Sequence, residues 1–548
     1  MEILKKRIRT LTVALLVLAA AISCRLAYIQ LAGHEELSAA EHSQSLISLV
    51  GSNTRGIIYD RNGAPLVADR KHYIYIISKG KFNYQTAKLL KSFGAEQVQS
   101  GSSGYYVYSS DSYDRRAGEE LVEKYDAYII YASSRYSDDQ LAAHLIGYVN
   151  ESDDSGASGL ELMFNSRLDP LHRHMYAVAD VRGDLIPERG IIVTSDESSG
   201  QRTSEGIRTT VDKGIQQAIE DILDKQEKNC AAVVMDCSTG GIAALACTPK
   251  FDPDHVSSYI DGGGSELVNK ATQGEYPPGS VFKIIVAAAA LESGGTEDRI
   301  FTCKGSVKSG SHSIKCDTGG SSGHGRINMK DAFAYSCNSY FVQLGKELGS
   351  DRIISMAEKF HLGETALENY PQESAGHLMD QSQRQGAAVG NLSIGQGETL
   401  VTPLQIARVT SVIANGGTDK GVCILMDDEQ SNERVISEDT AKTISGMMSA
   451  VTEYGTASFL DMKDSSGTLE TAVKTGTAQY GSAGSYGTHA WITGFAPCSQ
   501  PEYTVTVLME DGNSGAASAG PVYREIIEYL KRAGSYSRPA LALSTDRG

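Results

Sequence analysis

The sequence lacks the devices of a nucleic-acid or nucleotide-binding protein. It has no zinc-finger spacing, no glycine-rich phosphate loop and no internal repeat. It also lacks positive charge. Fifty Lys and Arg stand against 67 Asp and Glu, a net charge of -17, so a polyanion would be repelled. The nine cysteines include no CxxC pair, which argues against a metal cage, and no metal or cofactor is expected. Cys303 and Cys316 flank a Gly- and Ser-rich stretch, and a disulfide closing that loop is one reading. The remaining thiols read as small buried hydrophobes. Cysteine usage therefore says little about compartment.

What is present begins at the N-terminus. Lys5, Lys6, Arg7 and Arg9 precede an apolar run that extends, past Arg25, from Leu11 to Leu31. That length is enough to cross about 30 Å of hydrocarbon. The basic cluster should stay in the cytoplasm and place everything beyond it outside. A cleaved signal peptide and a lipid-modified Cys24 are the rival readings, and both export the body too.

The length points to more than one domain. Residues 1–10 read as a cytoplasmic tail and 11–31 as the anchor. Residues 32–205 read as a mixed first domain, entered by a helical exit over 32–50. Residues 206–535 read as the main domain and 536–548 as a loose tail. Arg55–Ala68 predicts strand, turn and strand, with Asn62-Gly63 turning the hairpin. In the main domain, 231–236 and 242–246 predict a hairpin buried on both faces. Val281–Leu291 predicts a buried helix. Ala472–Tyr480, Ala490–Phe495 and Tyr503–Met509 predict late strands, and Val522–Leu530 a closing amphipathic helix. Early strands, central helices and late strands imply one sheet covered by helices.

Three segments carry chemistry. In YPPGSVFK, Ser280 opens the apolar helix and Lys283 follows one turn later on the same face. A serine hydroxyl needs a base, and a buried lysine with a lowered pKa can serve. Read alone, the pair is a common accident, with Ser280 a helix cap and Lys283 a surface residue. Ser336, Cys337 and Asn338 form a polar notch in an apolar helical pattern, where a hydroxyl and an amide need partners. The bland alternative is a satisfied turn between core helices, with Cys337 merely buried. In VKTGTAQY, Lys474 and Thr475 offer a charge and a hydroxyl to a carboxylate. Gly476 would let a substrate backbone lie against the strand edge, and Thr477 adds another hydroxyl.

Ser280-x-x-Lys283, Ser336-x-Asn338 and Lys474-Thr475-Gly476, in this order, resemble the penicillin-binding protein and serine β-lactamase superfamily. RGIIYDRNG (55–63) and GASGLE (156–161) resemble signatures of the class B penicillin-binding proteins. GHG (323–325) and GQGETLVTPLQIA (395–407) look familial; the second reads as packing a helix near the cleft, without a chemical role. The implied fold is α+β. A β-lactamase/transpeptidase-like domain, a central antiparallel sheet covered by helices, follows a mixed α/β pedestal and a transmembrane helix. The implied activity is peptidoglycan D,D-transpeptidation. Ser280 attacks a D-Ala-D-Ala stem peptide, Lys283 is the base and Ser336 shuttles the proton. Asn338 binds the peptide amide, while Lys474 and Thr475 hold the carboxylate. The backbone N–H groups of Ser280 and Thr477 form the oxyanion hole. Implied partners are stem peptides, β-lactams and a polytopic glycan polymerase touching the pedestal, but no nucleic acid. No glycosyltransferase region precedes the pedestal, which argues against class A, and no wall-binding modules are expected after residue 535. A D,D-carboxypeptidase or β-lactamase-like hydrolase differs only in the acceptor. A non-enzymatic β-lactam sensor or divisome scaffold would not need every site residue.

Overall fold

The computed structural model describes residues 7, 9, 11–13, 15–20, 46–48, 55–67, 71–100, 105–150, 155–168, 174–178, 191–194, 206–260, 262–317, 322–464, 466–482 and 485–534. Among them no helix is long and apolar enough to cross a membrane. Most of the expected anchor, Cys24 and the expected tail at 536–548 lie outside the described residues. So does the helical exit at 32–50, apart from Leu46–Ser48, which is a strand rather than a helix.

The chain forms two compact units. One comprises Met1–Arg55, Ala68–Arg135 and Leu171–Thr203; the other comprises Gly56–Val67, Tyr136–Pro170 and Ser204–Gly548. Residues 56–67 and 136–170 fold with the larger unit. The reason is local. Ile58 and Tyr59 pair in parallel with Ile207 and Arg208. Ile58, Leu145, Ile146 and Leu160 are fully buried in the larger unit's core. The Asp60 carboxylate accepts from the backbone N–H groups of Asn62 and Ala64 and so holds the Asn62-Gly63 turn. Tyr59 bridges to Pro65 across it.

The smaller unit contains a four-stranded antiparallel sheet of Lys71–Ser78 (β1), Glu96–Ser100 (β2), Tyr105–Ser110 (β3) and Tyr128–Ser133 (β4), in the order β2-β3-β1-β4. Helices Tyr84–Ser92 (α1) and Arg115–Tyr125 (α2) begin on Asn83 and Asp114, whose side chains accept from first-turn N–H groups. Leu90 and Leu121 pack with Tyr75 and Ile77 in a separate core.

The larger unit is built on five antiparallel strands. In chain order its elements are Lys213–Leu223 (α3), Cys230–Asp236 (β5), Ile242–Cys247 (β6), Lys283–Glu292 (α4), Met329–Ala334 (α5), Asn338–Leu348 (α6), Pro403–Ala414 (α7), Glu438–Glu453 (α8), Ala472–Ser482 (β7), Ser485–Ala496 (β8), Tyr503–Met509 (β9) and Gly520–Arg532 (α9). The sheet order is β6-β5-β9-β8-β7, which leaves β7 on an edge. β5, β6 and β9 are almost wholly buried. Consecutive residues of β8 show why. Thr493 hydrogen-bonds Thr410 of α7 at 2.6 Å, while a Cβ on Gly494 would meet the Tyr523 hydroxyl of α9 at 2.6 Å. Successive strand residues face opposite sides, so helices cover both faces.

Candidate active site

The nucleophile candidate sits on a fastened turn. Pro277 and Pro278 lead into a 3₁₀ turn, Gly279–Phe282, from which α4 continues. Gly279 has φ +55°, open to glycine without strain. A Cβ there would stand 2.8 Å from the Thr477 carbonyl oxygen on β7. The Gly279 N–H donates to the Gly395 carbonyl at 2.8 Å, and a Cβ on Gly395 would stand 2.1 Å from Gly279 O. Trp491 Nε1 donates to Pro277 O at 3.1 Å. Ser280 is therefore held between the edge strand and the Gly395 loop. The sequence showed GQGETL without a chemical role, and this clamp is its role. The Trp491 bond had no signal in the local sequence.

Lys283 is fully buried one turn further on. Its Nζ donates to Ser336 O at 2.7 Å, Asn338 Oδ1 at 2.8 Å and Ser336 Oγ at 3.2 Å. Burial brings its pKa down to about 7. Lys474, also fully buried, donates to Ser336 Oγ at 3.1 Å and to Thr475 O at 2.8 Å. Burial first, and the neighbouring Lys283 second, hold its pKa well below the ordinary lysine range. The Ser336 hydroxyl thus faces both amines. An oxygen that accepts from two donors keeps its own proton available to give.

Ser336 occupies the loop between α5 and α6, and Asn338 follows at its end. Ser336 has φ +54°, a left-handed backbone unusual for a side-chain-bearing residue. Asn338 opens α6, and its Nδ2 donates to Lys315 O at 3.0 Å. The polar notch is a turn between helices, and its partners are the two lysines.

On β7 the candidate residues differ in exposure. Thr475 is buried and its hydroxyl shares a 2.7 Å bond with Thr456, while Thr477 is exposed. Gly476 was read as making room for substrate. In the structure a Cβ there would stand 3.1 Å from Val281 Cγ1 and 3.2 Å from Pro278 O, so the absent side chain lets the Ser280 turn pack on the strand. Ser280, Asn338, Thr477, Lys315, Gln396 and Tyr486 line one groove of about 1550 Å³. The other edge of β7 pairs with β8, leaving a free backbone edge for an extended ligand.

Of the readings open for Cys303 and Cys316, the structure takes the one without a disulfide: both are free thiols. Their sulfurs turn instead into a group with His324 and Cys337, so GHG (323–325) and the middle residue of Ser336-x-Asn338 come together. The lack of a CxxC pair concealed this, because the four residues arrive from separate segments.

Together these groups provide a hydroxyl on a helix start, two amines with lowered pKa values, a bridging hydroxyl and an open strand edge. That is equipment for acyl transfer to and from a serine. Residues 230–528 match the family model described as the penicillin binding protein transpeptidase domain. The chain is 32% identical over 365 residues to the peptidoglycan D,D-transpeptidase PbpA of Mycobacterium tuberculosis, covering 59% of this chain and 72% of that one. It is 26% identical over 557 residues to the peptidoglycan D,D-transpeptidase MrdA of Escherichia coli, covering 87% of this chain and 86% of that one. A ceftriaxone acyl-enzyme of penicillin-binding protein A from M. tuberculosis superposes with a TM-score of 0.53 at 30% identity, covering 60% of this chain and 80% of that chain. The residues that gather around Ser280 and the family match over the same fold lead to one conclusion: this chain belongs to the class B penicillin-binding proteins.

Proposed function

We infer that this chain is a peptidoglycan D,D-transpeptidase that works through an acyl-enzyme on Ser280. The observation that carries the reading is the convergence of Lys283 and Lys474 on the Ser336 hydroxyl, next to the groove that Ser280 lines. With Lys283 neutral, the Ser280 proton passes to it as Oγ attacks the carbonyl carbon between the two terminal D-Ala residues of a stem peptide. Negative charge develops on the carbonyl oxygen, and the backbone N–H groups of Ser280 and Thr477 receive it. The proton returns through Ser336 to the leaving amine, the C–N bond breaks and D-Ala departs. The amine of a second stem peptide then attacks the ester, forms the cross-link and restores Ser280. Asn338 binds the donor amide. Lys474 and Thr475 fix its terminal carboxylate, Lys474 through the hydroxyls and backbone around it. A β-lactam enters as the donor and stays on Ser280, because its leaving group remains tethered.

The body works outside the cytoplasm, held by the segment 11–31. The domain organisation is a pedestal drawn from 32–205, of which the segments 56–67 and 136–170 fold with the larger unit, and a transpeptidase domain over 206–535, with a polytopic glycan polymerase contacting the pedestal. The basic N-terminal flank and the apolar run support the anchor. The test is labelling of the full chain in membranes with a fluorescent penicillin. A covalent adduct mapped to Ser280 and absent in Ser280→Ala is expected. Labelling that survives in Ser280→Ala would remove Ser280 as nucleophile.

A further inference from the structure

Cys303, Cys316, His324 and Cys337 are brought together by strand register. Phe301–Cys303 pairs with Gly325–Ile327, Cys303 opposite Gly325, so His324 comes in beside Cys303. The hairpin of Ser306–Ser309 and His312–Lys315 carries the chain back, and the Cys316 N–H donates to Gly305 O at 2.9 Å. Cys337 descends from the loop between α5 and α6. Gly323 permits the approach, since a Cβ there would stand 2.3 Å from Gly305 N and 2.4 Å from Cys303 O. The four ligand atoms all lie within 4.8 Å of one another. Cys316 Sγ is 3.5 Å from His324 Nδ1 and 3.6 Å from Cys337 Sγ.

These spacings have a chemical reading. A tetrahedral ion about 2.3 Å from sulfur and about 2.0 Å from nitrogen sets its ligand atoms roughly 3.5–3.8 Å apart. The thiols are free and three of them cannot all pair as disulfides. Cys303, Cys316 and Cys337 are buried, and the Tyr340 N–H at the start of α6 donates to Cys337 Sγ at 3.4 Å, which favours a thiolate. Three soft sulfurs and one imidazole at such spacings select zinc, which takes a closed tetrahedral set of ligands.

We propose that Cys303, Cys316, His324 and Cys337 bind one structural zinc ion, which holds the Ser336–Asn338 loop in its working position. Cys337 lies between the residues that Lys283 bonds. Cys316 follows Lys315, whose carbonyl accepts from Asn338. An ion on these two cysteines joins the loop to the hairpin that lines the groove. It touches neither the peptide nor the reacting atoms. Its part is to keep the left-handed Ser336 on the two lysines.

The full chain, purified in detergent, tests this through metal content and through acylation. About one zinc per chain is expected by elemental mass spectrometry. Cobalt exchanged into the protein should show the visible bands and the thiolate-to-metal absorption of a tetrahedral site. Cys303→Ala and His324→Ala should lose the ion, and Cys303→His should keep it. A chelated sample should acylate with penicillin about 10²-fold more slowly, in the acylation step rather than in initial binding, and recover on adding zinc. Only the acylation readout depends on Ser280 being the nucleophile. Protein without zinc that also takes up no cobalt would overturn the proposal, as would a Cys316–Cys337 disulfide in peptide maps of the native protein. Bound zinc whose removal leaves acylation unchanged would overturn the positioning role.

Discussion

At Ser336 a serine holds a backbone conformation that glycine adopts more easily, φ +54°. Such a residue stores about 1 kcal/mol. The turn keeps it there because Phe333 O accepts its N–H at 3.1 Å and Lys283 donates to its carbonyl at 2.7 Å. Ser336→Gly and Ser336→Ala should both lose penicillin acylation, since neither has the hydroxyl. Ser336→Gly should be the more stable of the two by about 1 kcal/mol, read by chemical denaturation; equal stabilities would mean the backbone is unstrained. Lys283 sets the pH response. Its pKa of about 7 lies below the ordinary lysine value, so the neutral amine predominates above pH 7 and becomes scarce below it. The acylation rate should therefore fall about tenfold per pH unit below 7 and level off above. Lys283→Ala should slow acylation by about 10²–10⁴-fold and abolish that slope. A wild-type profile flat from pH 5 to 9 would remove Lys283 as the base.

Among the elements, the 3₁₀ turn bearing Ser280 depends on the glycines around it. Gly395 has φ +67°, and a Cβ there would stand 2.1 Å from Gly279 O. Gly395→Ala should leave the circular dichroism spectrum unchanged and slow acylation about 10²-fold by displacing the turn. Gly446 supplies the contrast. It is exposed on α8 and a Cβ would meet nothing within 4 Å. Gly446→Ala should add about 0.5–1 kcal/mol of stability and leave acylation unchanged. The strands were legible because β5 and β6 are nearly continuous apolar runs between turn residues and β9 is rich in β-branched residues. The Gly395 clamp was not, because a backbone contact between residues 279 and 395 leaves no local periodicity.

For the whole molecule, the division into units does not follow chain order. Residues 56–67 and 136–170 return to the larger unit. Local sequence does not announce which core they join; the pairing of Ile58 with Ile207 decides it for the first, and the Ala142 N–H bond to Glu220 with the burial of Leu145, Ile146 and Leu160 for the second. Deleting residues 1–31 should convert carbonate-resistant membrane association into a soluble form that still acylates, seen by fractionation and penicillin labelling. Membrane retention of the truncated chain would show that segment 11–31 is not the sole anchor.

Ser280, Lys283, Ser336, Asn338 and Lys474 stood out in the sequence as candidates because a hydroxyl, an amine and a polar notch fall in short motifs, and short motifs survive as spacing along a chain. The buried hairpin and late strands were readable for the same local reason. Tertiary structure alone decided that both lysines face one hydroxyl, that Gly476 makes room for a turn, and that three cysteines and a histidine share a site. Those facts depend on distances between residues far apart in the chain, and such distances are set only when strands take their register and loops close.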